Sequence, residues 1–374
     1  MRILLLFGTR PEAVKLAPVA LALRARGMEA LLANTGQHPD FETAALSPFG
    51  LESDLAAPFS RTAAPAAGAA RLLTAADGLL TEAHPDLALV QGDTATAAAG
   101  AEAAFYRRIP VAHVEAGLRS GDLSAPFPEE YLRKKIALLA RVHFAPTRTA
   151  VRNLLREGCR NVHLTGNTVV DALCRTVRPD YTHPALPEGP FVLFTLHRRE
   201  CTRARAREWH AMLRTLTRRT GLPVLYPVHA DPARLRAAEE DLGDCPGVRL
   251  LPPLGVADFH NFLARAALVL TDSGGVQEEA VSLGRPLLVL RRVGERQEGG
   301  ERFTDAPEGA LRQALSALAN PAPRFFPAAP AVKEGGDGTE NAPAAALPSS
   351  PYGDGHAGGR IAAILRLYAS RRGL

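Results

Sequence analysis

Short apolar runs that alternate with amphipathic stretches from end to end predict an α/β chain of two Rossmann-like, doubly wound parallel-sheet domains facing a cleft. Three observations carry that expectation: the steady alternation itself, a single pause in it, and a length of 374 residues, too long for one ordinary core. In the first half the expected strands are Ile3–Phe7, Ala30–Thr35, Leu87–Gln91, Val111–Glu115, His143–Ala145 and Val162–Thr165. Amphipathic stretches such as Ala13–Arg26, Ala95–Tyr106 and Ala150–Glu157 separate them. The pause falls at the proline-rich, polar segment Arg178–Pro187, which reads as a linker. Strand patterns restart with Phe191–Thr195, Val224–Val228, Val248–Leu251, Leu268–Thr271 and Pro286–Leu290. Residues 321–351, rich in Pro, Ala and Gly, read as a long irregular connection before a last helix at Gly359–Arg371. The expected division is therefore 1–177, 178–354 and a terminal helical segment at 355–374. In such folds ligands bind at the carboxyl ends of the strands, and paired domains usually hold them in the intervening cleft.

Composition narrows the class. Hydrophobic residues make up 46% and charged residues 22%, a soluble globular balance with net charge +5. No dense basic block interleaved with aromatics occurs, which argues against nucleic acid, and a mild positive excess suits a small polyanionic ligand. Arginine dominates the cations; lysine occurs only at 15, 134, 135 and 333. Cys159, Cys174, Cys201 and Cys245 show no C-x-x-C spacing and no companion histidines, so neither a disulfide framework nor structural zinc is expected. No stretch approaches the ~20 apolar residues of a membrane span. The first apolar run is too short for a signal sequence, and the expected location is cytoplasmic.

Several strand ends carry chemistry. Gly8-Thr9-Arg10-Pro11-Glu12 stands where the first strand meets the first helix, with Thr9 and Glu12 spaced as a capping box. A helix start attracts anions, and Arg10 and Lys15 add two cations there; a cation at a helix start opposes the dipole, so solvated first-turn charge explains them less well. Thr271-Asp272-Ser273-Gly274-Gly275-Val276-Gln277-Glu278-Glu279 is a second such start: Ser273 can cap, Gly274 and Gly275 allow close approach, and Glu279 could accept from a ribose diol. An ordinary strand–helix turn is the alternative for that pattern. His197 and His229 stand at the tips of successive strands without metal-site spacing, so no metal centre is expected. Asp93, Glu115 and Glu129 bring carboxylates to one sheet edge, where repulsion and burial suit general acid–base work better than packing. There is no G-x-G-x-x-G after the first strand, no Walker A sequence and no G-x-S-x-G elbow, so bound NAD, a P-loop site and an esterase nucleophile lose support.

Taken together these segments resemble the non-hydrolysing UDP-N-acetylglucosamine 2-epimerases. The matching stretches are Gly8–Ala13, Thr35–His38, Gly92–Thr94, His113–Arg119, Pro126–Glu130, Thr165–Thr168, His197–Glu200, Asp272–Glu279 and Pro351–Gly355, in family order along nearly the whole chain. The resemblance implies a glycosyltransferase-B-like pair of domains, a homodimer, a UDP-sugar substrate, no cofactor, and a last helix that returns to the first domain. It implies interconversion of UDP-GlcNAc and UDP-ManNAc by elimination and re-addition of UDP through a glycal, serving the supply of surface-polysaccharide precursors. Asp93, Glu115, Glu129 and His197 are its implied catalytic residues. Arg10, Lys15, Arg133, His229, Ser273, Gly274, Gly275 and Glu279 are its implied substrate contacts. Gln37 and His38 match part of a region where a second UDP-GlcNAc can act as activator. Which carboxylate removes the C2 proton and which returns it stays open.

Some positions depart from the family pattern: Leu132 stands for a usual Asn, Asp231 for another, and Arg292-Val293-Gly294 replaces an acid and two threonines. These leave other readings to weigh: an epimerase for a related UDP-acetamido sugar, a glycosyltransferase using the same UDP site, a weakened UDP-sugar binder, or a hydrolytic epimerase.

Overall fold

The computed structural model describes residues 1–38, 41–59, 64–196, 201–291, 302–319 and 350–370. They form two compact units, Met1–Arg175 with Pro351–Leu374, and Thr176–Ser350. Each is a parallel sheet wound in both directions from its first strand, the fold class the alternation predicted.

Unit 1 runs β1 (Arg2–Phe7), α1 (Arg10–Arg24), β2 (Glu29–Asn34), α2 (Glu42–Leu46), β3 (Leu55–Ala56), α3 (Pro65–Ala83) and β4 (Leu87–Gln91). It continues with α4 (Ala95–Tyr106), β5 (Val111–Val114), α5 (Glu129–Leu139), β6 (Val142–Ala145), α6 (Arg148–Arg156), β7 (Val162–Leu164) and α7 (Thr168–Thr176). Strand order is β3-β2-β1-β4-β5-β6-β7, so the winding reverses between β1 and β4. Ile3–Phe7 and Leu87–Val90 are wholly buried, as strands covered by helices on both faces must be. Leu5 pairs with Leu89, and Val90 with His113, which brings the carboxyl ends of β1, β4 and β5 to one edge. The small residues of α4 let it lie close on the sheet, Gly100 against Leu6 and Val90, which fixes the turn that precedes it.

Unit 2 runs β8 (Val192–Thr195), α8 (Arg203–Thr220), β9 (Val224–Pro227), α9 (Pro232–Leu242), β10 (Val248–Leu251) and α10 (Val256–Arg265). Then come β11 (Leu268–Thr271), α11 (Gly274–Ser282), β12 (Leu287–Val289), β13 (Arg302–Phe303) and α12 (Pro307–Ala319). Its order, β10-β9-β8-β11-β12-β13, repeats the reversal, here between β8 and β11. Thr195 pairs with Thr271 across that point, and their hydroxyls are 2.6 Å apart. The stretch read as a linker is tied to α10: the Tyr181 hydroxyl donates to Asp258 at 2.6 Å, and Arg265 donates to the carbonyls of Arg178 and Pro179.

The last helix, α13 (Ala357–Ser370), belongs to unit 1 and packs on α1. Two observations explain the docking. Tyr352 is fully buried, and its carbonyl accepts from Asn167 N at 2.7 Å. Asp171 on α7 accepts from the amides of Ala357 (3.1 Å) and Gly358 (2.8 Å), supplying partners for the first turn of α13. By these contacts the unit boundaries fall after residues 175 and 350, where sequence placed them after 177 and 354. Asp171→Ala should strip both amides of their acceptor and destabilise the protein by about 1–2 kcal/mol; a urea midpoint equal to wild type would show that α13 is held without it.

Candidate active site

The chemistry of unit 1 starts at the β1–α1 turn. Glu12 lies one turn into α1, fully buried, and one of its oxygens accepts from Gly8 N (3.0 Å), Thr9 N (2.9 Å) and the Thr9 hydroxyl (2.8 Å). Its other oxygen accepts from the Thr94 hydroxyl, which in turn caps α4 by accepting from Ala97 N at 3.0 Å. One carboxylate therefore ties the turn after β1 to the turn after β4. Burial pushes it up to about 7, against the opposing pull of those four donors. Gly8 has no substitute here, because a Cβ would stand 2.3 Å from the Thr96 hydroxyl and 2.5 Å from that of Thr35.

At the ends of β4 and β5 two clusters form side by side. Lys15, buried on α1, makes a buried ion pair with Glu115, whose same oxygen accepts from the Gln91 side-chain amide at 2.8 Å. Glu115 sits at φ +62, in the left-handed region that costs a non-glycine residue ~1–2 kcal/mol. Such a conformation at a buried charge points to a role beyond packing. Two residues on from Gln91, Asp93 accepts from Arg133 of α5 at 2.8 Å (Nε) and 2.6 Å (Nη2). Arg133 also reaches Glu130 at 3.1 Å, and Glu130 accepts from the amides of Ser120 and Gly121. Glu129, the first residue of α5, is half-buried, and its carboxylate has no hydrogen bond or ion pair among the described residues.

His113 and His143 pair across β5 and β6. His113 Nε2 donates to the Gly92 carbonyl at 2.7 Å, which fixes its tautomer and braces the turn carrying Asp93. Burial pushes His113 down to about 3 and His143 down to about 4, so both are neutral at physiological pH. After Glu115 the chain bends through Gly117 at φ +93, where a Cβ would stand 2.4 Å from the Ala150 carbonyl; only glycine fits.

In unit 2, Ser273 caps α11 by accepting from Val276 N at 3.5 Å, with Gly274 and Gly275 opening the helix. Glu279 lies 3.7 Å from His260 Nε2, and its second oxygen is buried without a partner among the described residues. A buried acceptor without a donor is what a ligand hydroxyl would satisfy. His229 is exposed at the end of β9, its Nδ1 accepting from Asp231 N at 3.1 Å.

Of the residues singled out from sequence, the structure joins Lys15 to Glu115 and Asp93 to Arg133. Arg10 is half-buried at the first position of α1. Gln37 accepts from the amide and hydroxyl of Thr96, and the amide of His38 donates to the Gly8 carbonyl. His197 and the Arg292-Val293-Gly294 departure lie outside the described residues, as does nearly all of the 321–351 connection. Lys15, expected as a cation for a bound anion, makes an ion pair with Glu115 of its own unit. Read from sequence, Gln91 has no role and Glu12 only a capping one. The signal for Gln91 was present: a lone amide closing an otherwise apolar strand. Among the described residues no group of three or more His, Cys, Asp or Glu could hold a metal ion.

Two departures are absorbed locally. Leu132 packs against the unit 1 core, in line with the apolar face of α5. Asp231 caps α9, accepting from Ala233 N at 2.9 Å, a task Asn and Asp perform about equally.

Comparison with known proteins identifies the family of the chain. A sequence profile described as UDP-N-acetylglucosamine 2-epimerase matches residues 21–366. UDP-N-acetylglucosamine 2-epimerase of Bacillus subtilis (strain 168) is 39% identical over 372 residues, spanning 96% of this chain and 94% of that protein. The S. aureus MnaA structure with UDP is 36% identical with TM-score 0.85, covering 99% of this chain and 97% of that one. The UDP-GlcNAc 2-epimerase of Neisseria meningitidis, solved with UDP-GlcNAc bound, is 29% identical with TM-score 0.83, covering 98% and 100%. The chain belongs to the UDP-N-acetylglucosamine 2-epimerase family.

The Glu12 geometry has a pH signature. Its folded value of about 7 lies above the ordinary 4.5, so the native state holds the extra proton between those values. Its contribution to stability therefore falls as pH rises from about 4.5 through 7 and is level beyond. Glu12→Gln removes that slope, so the melting temperature of the variant relative to wild type should climb between pH 5 and 7.5; a constant difference would place the titration elsewhere.

Proposed function

We propose that this protein interconverts UDP-GlcNAc and UDP-ManNAc by eliminating UDP and adding it back, without hydrolysis and without a cofactor. The observation that carries the proposal is Glu115: a buried carboxylate in a strained backbone conformation, held by an ammonium and an amide, at the edge where a parallel sheet presents ligands. Asp93 stands one strand away, oriented by Arg133.

The reaction needs this equipment. The C2 hydrogen of the sugar is not next to a carbonyl, so it leaves only as the C1–oxygen bond to UDP breaks. A base takes the C2 proton, the C2–H electrons form the C1–C2 double bond, and the C1–O electrons depart with the diphosphate. Re-addition to the glycal after protonation of the opposite face of C2 gives the epimer. Two faces require two proton-transfer groups, and Asp93, Glu115 and Glu129 are the carboxylates assigned to them. The leaving diphosphate needs donors and positive charge; Arg10 and His197 are assigned to it, with the Ser273-capped start of α11 and Glu279 for the nucleotide. The unmatched Glu279 oxygen supports a ribose hydroxyl as its partner.

The same proposal includes a homodimer and a cytoplasmic site of action. Phe105 and Tyr106 on α4, with Tyr131 and Leu138 on the adjoining α5, are exposed, Leu138 to 85%, more large apolar side chains than neighbouring helices of a monomer ordinarily leave uncovered. No helix among the described residues is long and apolar enough to cross a membrane. Light scattering should give twice the chain mass, and Leu138→Glu should shift it toward a monomer.

The direct test is incubation with UDP-GlcNAc in D₂O followed by NMR at C2. UDP-ManNAc carrying deuterium is the expected product; free ManNAc with UDP would mean hydrolysis, and unexchanged, bound sugar would mean a transferase or a binder. Glu115→Gln should keep UDP binding and slow the exchange by about 10²-fold or more. Exchange near the wild-type rate would remove Glu115 from the chemistry.

A further inference from the structure

We propose that Gln91 is a positioning residue for Glu115, its side-chain amide fixing the orientation and favouring the ionised form of that carboxylate during proton transfer. The inference rests on the epimerase reading above and extends it to a residue with no assigned role.

The argument begins with where the amide sits. Leu87–Val90 are apolar and fully buried, and the strand then closes on Gln91, only 3% exposed. A buried primary amide is costly unless its hydrogen bonds are made, and its Nε2 donates to Glu115 Oε2 at 2.8 Å. The register makes this geometry available. Gln91 pairs with Val114, so the residue one step beyond its partner is Glu115. The positive φ of Glu115 takes that residue off the regular strand path, where ladder hydrogen bonds no longer set its direction. Side-chain donors must set it instead. Two converge on one oxygen: Lys15 from α1 and Gln91 from β4.

The support behind Gln91 is itself rigid. The next residue, Gly92, is in the left-handed region, and its carbonyl accepts from His113 Nε2 at 2.7 Å. The end of β4 is thereby fixed to β5 from both sides of the turn. The charged and titratable groups on the elements around the ends of β4 and β5 are Glu12 and Lys15 from α1, Asp93 in the turn after β4, His113 on β5 itself, His143 on β6, Arg119 in the following segment, and Glu129, Glu130 and Arg133 from α5; Glu12, raised to about 7, bonds Thr94 rather than Glu115. The two histidines stay neutral, Arg133 is shared by Asp93 and Glu130, and Arg119 pairs with Glu157. Gln91 donates to Glu115 as a neutral group. It stabilises a carboxylate over a carboxylic acid without adding a charge that a departing diphosphate would also attract.

The test compares wild type with Gln91→Leu and Gln91→Glu, using UDP-GlcNAc in D₂O. Removing one donor to a charged group should lower kcat about tenfold while KM changes less than about threefold. The acidic limb of the kcat/KM profile should move to higher pH by about one unit, and further in Gln91→Glu, where a second carboxyl faces Glu115. A purely structural amide would lower the melting temperature and leave the pH limb in place; that result overturns the inference, as does a loss confined to KM. Should Gln91→Leu not fold, the limb of the isosteric Gln91→Glu decides. Absence of C2 exchange in wild type would overturn the epimerase reading and this inference together. Normal wild-type exchange with unshifted variants would overturn the inference alone.

Discussion

An ammonium and a carboxylate that start a hundred residues apart meet inside unit 1, and the arrangement of its strand ends follows from that meeting. Removing two charges from water costs several kcal/mol each, so such a pair is a poor choice for stability alone. It persists where the surrounding elements already hold both partners. Lys15 is placed by α1, a helix buried nearly all round because α13 covers its outer side. Glu115 is placed by the end of β5, in the left-handed region at φ +62.

Glu12 extends the same logic to the turns. A carboxylate that accepts from both the β1–α1 turn and Thr94 allows neither turn to move without the other. Asp93 directly precedes Thr94, so its position is set from one side by Glu12 and from the other by the His113 bond to Gly92. Arg133 then orients the Asp93 carboxylate itself. Groups expected to move protons are held by others that do not, as an active site with little room for reorganisation requires.

The departures from the family pattern are instructive where they can be seen. Leu132 packs against the unit 1 core, so an apolar side chain there adds to that core. Asp231 caps a helix. Both show that a motif difference has meaning only once the direction of the side chain is known.

The amino-acid sequence by itself determined the doubly wound architecture, because strand and helix periods are local properties that survive in any window of the chain. It also determined which residue types stand at the strand ends: Asp93, Glu115, Ser273 and the glycines beside them are legible from their place after apolar runs. What it could not determine is who touches whom. Lys15 reads as a phosphate cation from α1 alone, and only the placement of α1 beside β5 turns it toward Glu115. Gln91 reads as the last residue of a strand until the register sets it beside Val114. Pairings of this kind depend on the order of strands in the sheet and on side-chain direction, both fixed by long-range packing, and no local pattern in the chain encodes them.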